Sequence, residues 1–586
     1  MTTTLEEPSE AAPAPVVDAP ARRRRSGALE ALAVLVAALA AAIVVTWPLV
    51  TELGTVVHDG LDPLLLTWIL DWVQHAIGSS PLHLFDANIF APQPDTLAYS
   101  DSLLGIAIPF LPFRWLGASP IAQLNLAVIV GSAVTAACGY LAGRVLTGSR
   151  VVAAVAGAAF AFGPIGTAHM GHIQTVWRGG IALAVALAWV LADRSEHGRN
   201  LWPPAIGLFA ALAWQASISF YAGSHAFIAV GVILLVRWRA WTRRSGVVLA
   251  ITLAASLGVV VVLALPYLAN ASRLDDFSSH TLATLNGYHI DFYSTDPRLS
   301  IWGPILGAGS GWPVYGKTMS FPGATLLLLS PIGLITGWRD ARYRRATIGA
   351  SALVATGLVL GIGASDHGWR QYTPYRLLYD AVPGFGALRA ADRTWFIGVL
   401  GLGVLSGLGA LAIARWLGRS RPRLVAGVVA LVAVVALVAE GYAPWTGLVE
   451  ERMPKIDTYL ASLPDDGGVV YLPSNSSGTD ILDYSFWVQP FYMYESTAHH
   501  RRMPNGFSGY TPKSYARFFK RLLPLPAERA LDAMRSIGMR YIVIHGDLAK
   551  GTAWDHLLDP RQARPLRLVK RFGSDLLYEV PPRHAG

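Results

Sequence analysis

Apolar runs close to twenty residues long recur along the first three quarters of the chain, and they leave it few ways to fold. A helix rises about 1.5 Å per residue, so such a run matches the ~30 Å hydrocarbon core of a bilayer. Within that core every backbone amide and carbonyl has to be paired inside the protein, which a helix does segment by segment. Eleven segments stand out: 27–50, 121–143, 151–167, 173–192, 201–220, 222–237, 246–268, 321–337, 346–364, 394–414 and 424–442. Only 15% of residues are charged, against about a quarter in soluble domains. The expected fold class is a polytopic α-helical membrane protein of about eleven transmembrane helices.

The arginines orient it. Arg22 to Arg25 precede the first run, and every second loop afterwards is short and arginine-loaded. These loops hold Arg144 and Arg150, then Arg194 and Arg199, then Arg237, Arg239, Arg243 and Arg244. The last two hold Arg339, Arg342, Arg344 and Arg345, then Arg415, Arg419, Arg421 and Arg423. Basic loops stay in the cytoplasm, so a plasma-membrane protein with a cytoplasmic N-terminus and an extracytoplasmic C-terminal region is expected. The same loops account for the net charge of +9 without any nucleic-acid partner. Residues 103–117 (LLGIAIPFLPFRWLG) would invert this alternation if they crossed. They are short and carry Pro109, Pro112 and Arg114, and so are expected to lie at the outer interface or to dip in and return.

Three regions result. Residues 1–26 form a tail, its first 21 rich in Pro, Ala and Glu and expected to be disordered. Residues 27–442 form the membrane domain, opening with an uncleaved span and an outer loop at 51–120. Residues 443–586 form an extracytoplasmic α/β or α+β domain, with strands at GVVYLP, RYIVIHG and LLYEV and a helical stretch at 511–536. Cys138, the only cysteine, lies in an apolar run, which excludes a disulfide or a cysteine-based metal site.

Three outer segments can carry chemistry. The first is HDGLDPLLLTWILDWVQHAIG, residues 58–78. Pro63 suits a first helical turn with Asp62 as its cap, and the residues that follow suggest an amphipathic helix parallel to the membrane. Asp59 and Asp62 would then sit where the first span leaves the bilayer, as a general base or as holders of a cation. The second is GPIGTAHMGHIQTVWR, residues 163–178, with His169, His172, Gln174 and Arg178. No third ligand adjoins the histidines, so hydrogen bonding to a phosphate or an acceptor is expected there and a metal site is not. The third is residues 369–393, where Arg370, Arg376, Arg389 and Arg393 break the alternation. Their planar guanidinium groups suit phosphate, or they pair with Asp380, Asp392 or lipid headgroups. Gly311 to Thr318 (GWPVYGKT) match a phosphate-loop pattern by letter alone, without a preceding strand, and are set aside. The aromatic stretch 486–512 fits either glycan stacking or core packing.

A first span, a long outer loop that opens with acidic residues, many further spans and an outer C-terminal domain together resemble the GT-C glycosyltransferases. The loop LFDANIFAPQPDTLAYSD (residues 84–101) is similar to that of bacterial members of this group. The resemblance implies a polyprenyl-phosphate-linked sugar donor, a glycan, lipid or protein acceptor, and transfer at the outer membrane surface. It implies Asp59 or Asp62 as the base and outer arginines on the leaving phosphate, with a divalent cation as the one cofactor an acidic pair can hold. The D-x-x-D spacing departs from the adjacent or alternate acidic pairs of the family and leaves open which aspartate is the base. A lipid-linked glycan transporter is the alternative, although few charges lie mid-span and no repeat is evident. A non-catalytic envelope-assembly protein is the other.

Overall fold

Each of the eleven apolar segments contains a helix in the computed structural model, which describes residues 19–58, 60–271, 321–366, 368–388, 390–442, 448–464, 466–474 and 487–583. In chain order the helices are α1 (Ala19–Val45), α2 (Asp62–Ser79), α3 (Leu104–Trp115), α4 (Pro120–Thr147), α5 (Arg150–Phe162) and α6 (Pro164–Ala168). Then come α7 (Ile173–Val176), α8 (Gly179–Glu196), α9 (Trp202–Ile218), α10 (Phe220–Val236) and α11 (Arg243–Ala271). The membrane part closes with α12 (Ala324–Arg339), α13 (Arg344–Gly361), α14 (Pro374–Ala381), α15 (Trp395–Leu417) and α16 (Pro422–Gly441). Seven helices of the described residues are by themselves long and apolar enough to cross a membrane. Local chemistry sets the boundaries. Ser119 caps α4 by accepting from the Ala122 amide, with Pro120 in the first turn. Gly148 ends the same helix at φ 71°, and Ser149 opens α5 by accepting from Val152.

The centre of the bundle is α15, buried along most of its length and packed against α5, α12, α13 and α16. Glycine makes this possible: a Cβ on Gly333 would sit 1.8 Å from the Leu405 carbonyl oxygen, and one on Gly409 would sit 2.1 Å from that of Leu329. Close backbone approach through small residues is how helices associate where lipid removes the hydrophobic drive. At the rim, α1, α11 and α16 present Leu32, Val36, Val262, Leu265, Leu431 and Val432 outward, as lipid-facing helices do. The proline-containing α3 has 12 residues, about 18 Å of helix, too short to cross.

The C-terminal region adds a sheet of order β3–β4–β6–β5, namely β3 (Gly468–Leu472), β4 (Met539–Ile544), β5 (Arg567–Phe572) and β6 (Asp575–Glu579). The pair β3/β4 is parallel and the others antiparallel. Three strands fall where the apolar alternation puts them. The fourth, RLVKRF, is a basic edge strand without an apolar signature. The expected helix at 511–536 divides at Pro524 and Pro526 into α19 (Lys513–Leu522) and α20 (Glu528–Arg535), preceded in this region by α17 (Lys455–Ala461) and α18 (Gln489–Ser496).

This region does not stand apart from the first loop. One hydrophobic core runs from α2 through residues 87–110 into the sheet, including Trp68, Ile69, Phe90, Val470, Tyr492 and Ile542. Backbone bonds stitch the two together: Phe90 donates to Asn505 (3.0 Å), Ala91 to Met503 (2.9 Å) and Met503 to Asn88 (2.7 Å). A two-residue ladder joins β1 (Val56–Val57) to β2 (Val449–Glu450). Helix α2 is accordingly not amphipathic. Residues Pro63 to Gln74 are all buried, because α3 and α4 pack on one side and α18 on another.

Asp71 ties these layers together. Only 4% exposed, its carboxylate holds Arg114 of α3, and His500 Nε2 donates to it at 2.6 Å. The His500 ring lies flat on that of His75, 3.7 Å between centroids. Asp71→Ala leaves Arg114 and His500 without their shared anion, and stability is expected to fall by about 3 kcal/mol. Thermal unfolding of the detergent-solubilised protein reads this loss.

Candidate functional site

Four inter-helix junctions meet at the end of the bundle that carries α2 and the sheet. The first is the start of α2. Asp62 is its first residue, and Leu61 occupies the cap position. Asp62 Oδ2 lies 2.9 Å from His172 Nε2, with side chains 42% and 31% exposed. A contact exposed to this degree keeps its carboxylate reachable by solutes.

The second junction, between α5 and α8, supplies the histidines. Thr175 Oγ1 donates to the carbonyls of His169 (2.9 Å) and His172 (2.8 Å), which fixes the turn between them. His169 is buried, donates from Nδ1 to the Ile165 carbonyl at 2.9 Å and meets the Phe396 ring edge-on. Burial, aided by the positive charge of Arg393, lowers its pKa to about 3. The ring is therefore neutral, with Nε2 left as an acceptor.

The third junction, between α9 and α10, holds Asp101 at the end of the first loop. Its carboxylate accepts from the Ser219 hydroxyl and the Phe220 amide at the N-terminus of α10. Burial pushes its pKa up to about 6, against those hydrogen bonds and the fields of Arg393 and His172. Tyr267 and Asn270 of α11 dock the same loop by donating to the carbonyls of Ser100 (2.7 Å) and Asp95 (2.8 Å).

The fourth junction leads into α15. Arg393 lies over the Tyr221 ring, 5.2 Å from its centroid, and close enough to Asp101, Asp392, His169 and His225 to act on each electrostatically. Asp392 is buried beside it. The four junctions thus assemble a base-capable pair, a neutral histidine, a guanidinium, a half-buried carboxylate and a buried one.

The residues singled out from sequence divide accordingly. Asp62, His169, His172 and Arg393 come together. Gln174 lies in α7 two positions past His172, with Oε1 buried and unpartnered among the described residues. Arg178 is turned inward: Nε donates to the Phe160 carbonyl (3.1 Å), Nη1 to that of Thr175 (2.7 Å), and Phe160 and Phe396 flank the guanidinium. It braces the C-terminus of α5. Arg376 pairs with Asp380 (2.7 Å) and Asp366 (3.1 Å), and Arg370 sits on the turn before α14. Asp59, Arg389 and the GWPVYGKT segment lie outside the described residues. Tyr492, Met493 and Tyr494 of the aromatic stretch are core residues.

Asp101 went unassigned in the sequence because its partners, Ser219 and Phe220, are more than a hundred positions away. Asp392 showed only as a pairing option for the arginines. Among the described residues, which leave out Asp59, the one group of three ligand-type side chains close enough to share an ion is Asp193, Glu196 and His197. That group ends α8, and Glu196 already binds Arg237 (3.0 Å) and Arg345 (2.9 Å).

No protein-family model and no curated protein sequence matches the chain. Solved structures do. The arabinofuranosyltransferase AftD from Mycobacteria aligns with 94% of this chain at 15% identity and a TM-score of 0.54, and the chain spans 40% of its length. ArnT from Cupriavidus metallidurans aligns over 96% of this chain and 99% of its own (14% identity, TM-score 0.47). The oligosaccharyltransferase AglB from Archaeoglobus fulgidus aligns over 88% and 69% (13% identity, TM-score 0.46). At these identities the likeness is one of fold.

Two outcomes test the site. Arg178→Met removes the donors that satisfy the end of α5 and is expected to cost on the order of 3 kcal/mol in thermal stability. For Asp101, a pKa raised from 3.8 to about 6 means that the fold opposes its ionisation. Stability should therefore fall as pH rises through that window. Asp101→Asn is expected to melt higher than the unsubstituted protein at pH 7, with the difference shrinking as pH drops from 6 to 4.

Proposed function

We propose that this chain, a multi-pass membrane protein with the GT-C glycosyltransferase fold, moves a sugar from a polyprenyl-phosphate carrier to an envelope acceptor on the outer face of the membrane. The observation that carries the reading is the Asp62–His172 pair, 2.9 Å apart, in one site with Arg393. The arginine alternation puts that end of the bundle outside. AftD, the neighbour of matching fold, is an arabinofuranosyltransferase, which makes pentofuranosyl carriers the first donors to try.

The reaction needs a base for the acceptor hydroxyl and a cation for the leaving group. Asp62 takes the proton as the acceptor oxygen bonds to the anomeric carbon, and His172 holds that carboxylate in place. The bond from the anomeric carbon to the phosphate oxygen breaks, and its electron pair leaves on the phosphate beside Arg393. Neutral His169 offers Nε2 to an acceptor or sugar hydroxyl. Arg370 and Arg376, further out, suit the headgroup region through which the lipid arrives.

The test is transfer by the reconstituted protein from a panel of polyprenyl-phosphate pentoses and hexoses. Asp62→Asn is expected to lower kcat by ~10²- to 10⁴-fold, and Arg393→Met to raise KM and lower kcat together. Full activity in the Asp59→Asn/Asp62→Asn double variant would sink the mechanism. Movement of lipid-linked glycan across the membrane without any transfer would favour a transporter.

A further inference from the structure

Asp392 has a buried carboxylate oxygen with no hydrogen-bond partner among the described residues. The residue is 8% exposed, and among the described residues its carboxylate is held by its own amide and that of Arg393, in the field of the Arg393 guanidinium. A buried acceptor left open is costly in the resting protein, and natural folds retain few such atoms without a reason. Here the atom belongs to the turn that leads into α15, beside Arg393 and within the field of His172. We infer that Asp392 recognises the transferred sugar by accepting a hydrogen bond from one of its neutral hydroxyl groups at Oδ1. This rests on the glycosyl-transfer reading above and adds to it the residue that selects the sugar.

The surrounding charges restrict the missing partner. A phosphate would meet the carboxylate with like charge. An ammonium group would have to settle next to the guanidinium of Arg393, which already supplies positive charge to Asp392. A divalent cation needs several ligand groups in reach, and among the described residues Asp392 belongs to no such cluster. A hydroxyl carries no charge and donates one proton, which is what the open oxygen lacks. A sugar phosphate has both features, an anionic end suited to Arg393 and hydroxyls suited to Asp392. Gln174 Oε1, on the turn that holds His172, is a second buried acceptor in the same state.

The inference is tested with the full chain in lipid nanodiscs and the variants Asp392→Asn and Asp392→Ala. Without ligand, Asp392→Asn should melt no lower than the unsubstituted protein, since it removes a charge that burial disfavours and keeps an oxygen for the backbone amides. A drop of several degrees would mark Asp392 as a structural residue and overturn the inference. Next, polyprenyl phosphate alone is compared with a polyprenyl-phosphate pentose. The unsubstituted protein should gain extra thermal protection from the sugar, and Asp392→Ala should lose that increment while keeping the phosphate-dependent part. Equal protection of protein and variant, or loss of both parts, overturns it. If no sugar-bearing carrier protects the unsubstituted protein, this inference and the transferase reading both fall. In turnover, Asp392→Ala should reduce kcat/KM by ~10- to 100-fold, except with the one deoxy donor that lacks the matched hydroxyl, where the two proteins become equal. A uniform loss across all deoxy donors refutes a recognition role but leaves the transferase reading intact. Absence of transfer by the unsubstituted protein refutes the transferase reading, while the protection experiment still judges Asp392.

Discussion

Everything at this end of the molecule depends on how completely helix α2 is enclosed. A carboxylate at the start of a loop between a span and a soluble domain would ordinarily wander by several ångströms, and catalysis does not tolerate such freedom. Asp62 is prevented from doing so by the helix it begins, whose residues Pro63 to Gln74 are buried against α3, α4 and α18. The sheet region adds its own clamps. Phe491 presses on Gly60, where a Cβ would come within 2.7 Å of the ring, and the ladder of Val56–Val57 with Val449–Glu450 pins the chain just before it. Asp71 sits nine residues into α2 and binds one partner from the membrane side, Arg114, and one from the sheet side, His500. The C-terminal region is thus part of the scaffold that positions Asp62.

What the sequence discloses follows from how local the governing constraint is. Spans were legible because lipid forces every backbone group to pair within its own segment. Residues 103–117 contain a helix of 12 residues that carries both Pro109 and Pro112. The enclosure of α2 was the harder case. Leu64, Leu65, Leu66, Trp68, Ile69, Leu70 and Trp72 cover more than one face, a pattern of all-round burial and not of an amphipathic helix. Long-range partnerships were invisible. Arg178 looked like an anion binder until the carbonyl of Phe160, 18 positions earlier, proved to be its partner, and Asp101 needed the N-terminus of α10 to acquire a place.

The resulting charge distribution bears on turnover in the proposed reaction. Arg393 stands just ahead of α15, whose N-terminal dipole is positive, so the two together favour an anion. Half-buried Asp101 and buried Asp392 partly satisfy that demand at rest, and desolvation makes each of them reluctant to share the space with more negative charge. A sugar-bearing lipid phosphate is a diester with a single charge, whereas the released carrier is a monoester that approaches two charges near neutral pH. The carboxylates therefore oppose the product more than the donor. Breaking the sugar–phosphate bond raises the repulsion at the moment when the leaving group has to depart, and the lateral route into the bilayer relieves it. An arginine without those neighbours would grip the spent carrier most tightly. The two aspartates weaken that grip while leaving the guanidinium in place for the charge that develops in the transition state.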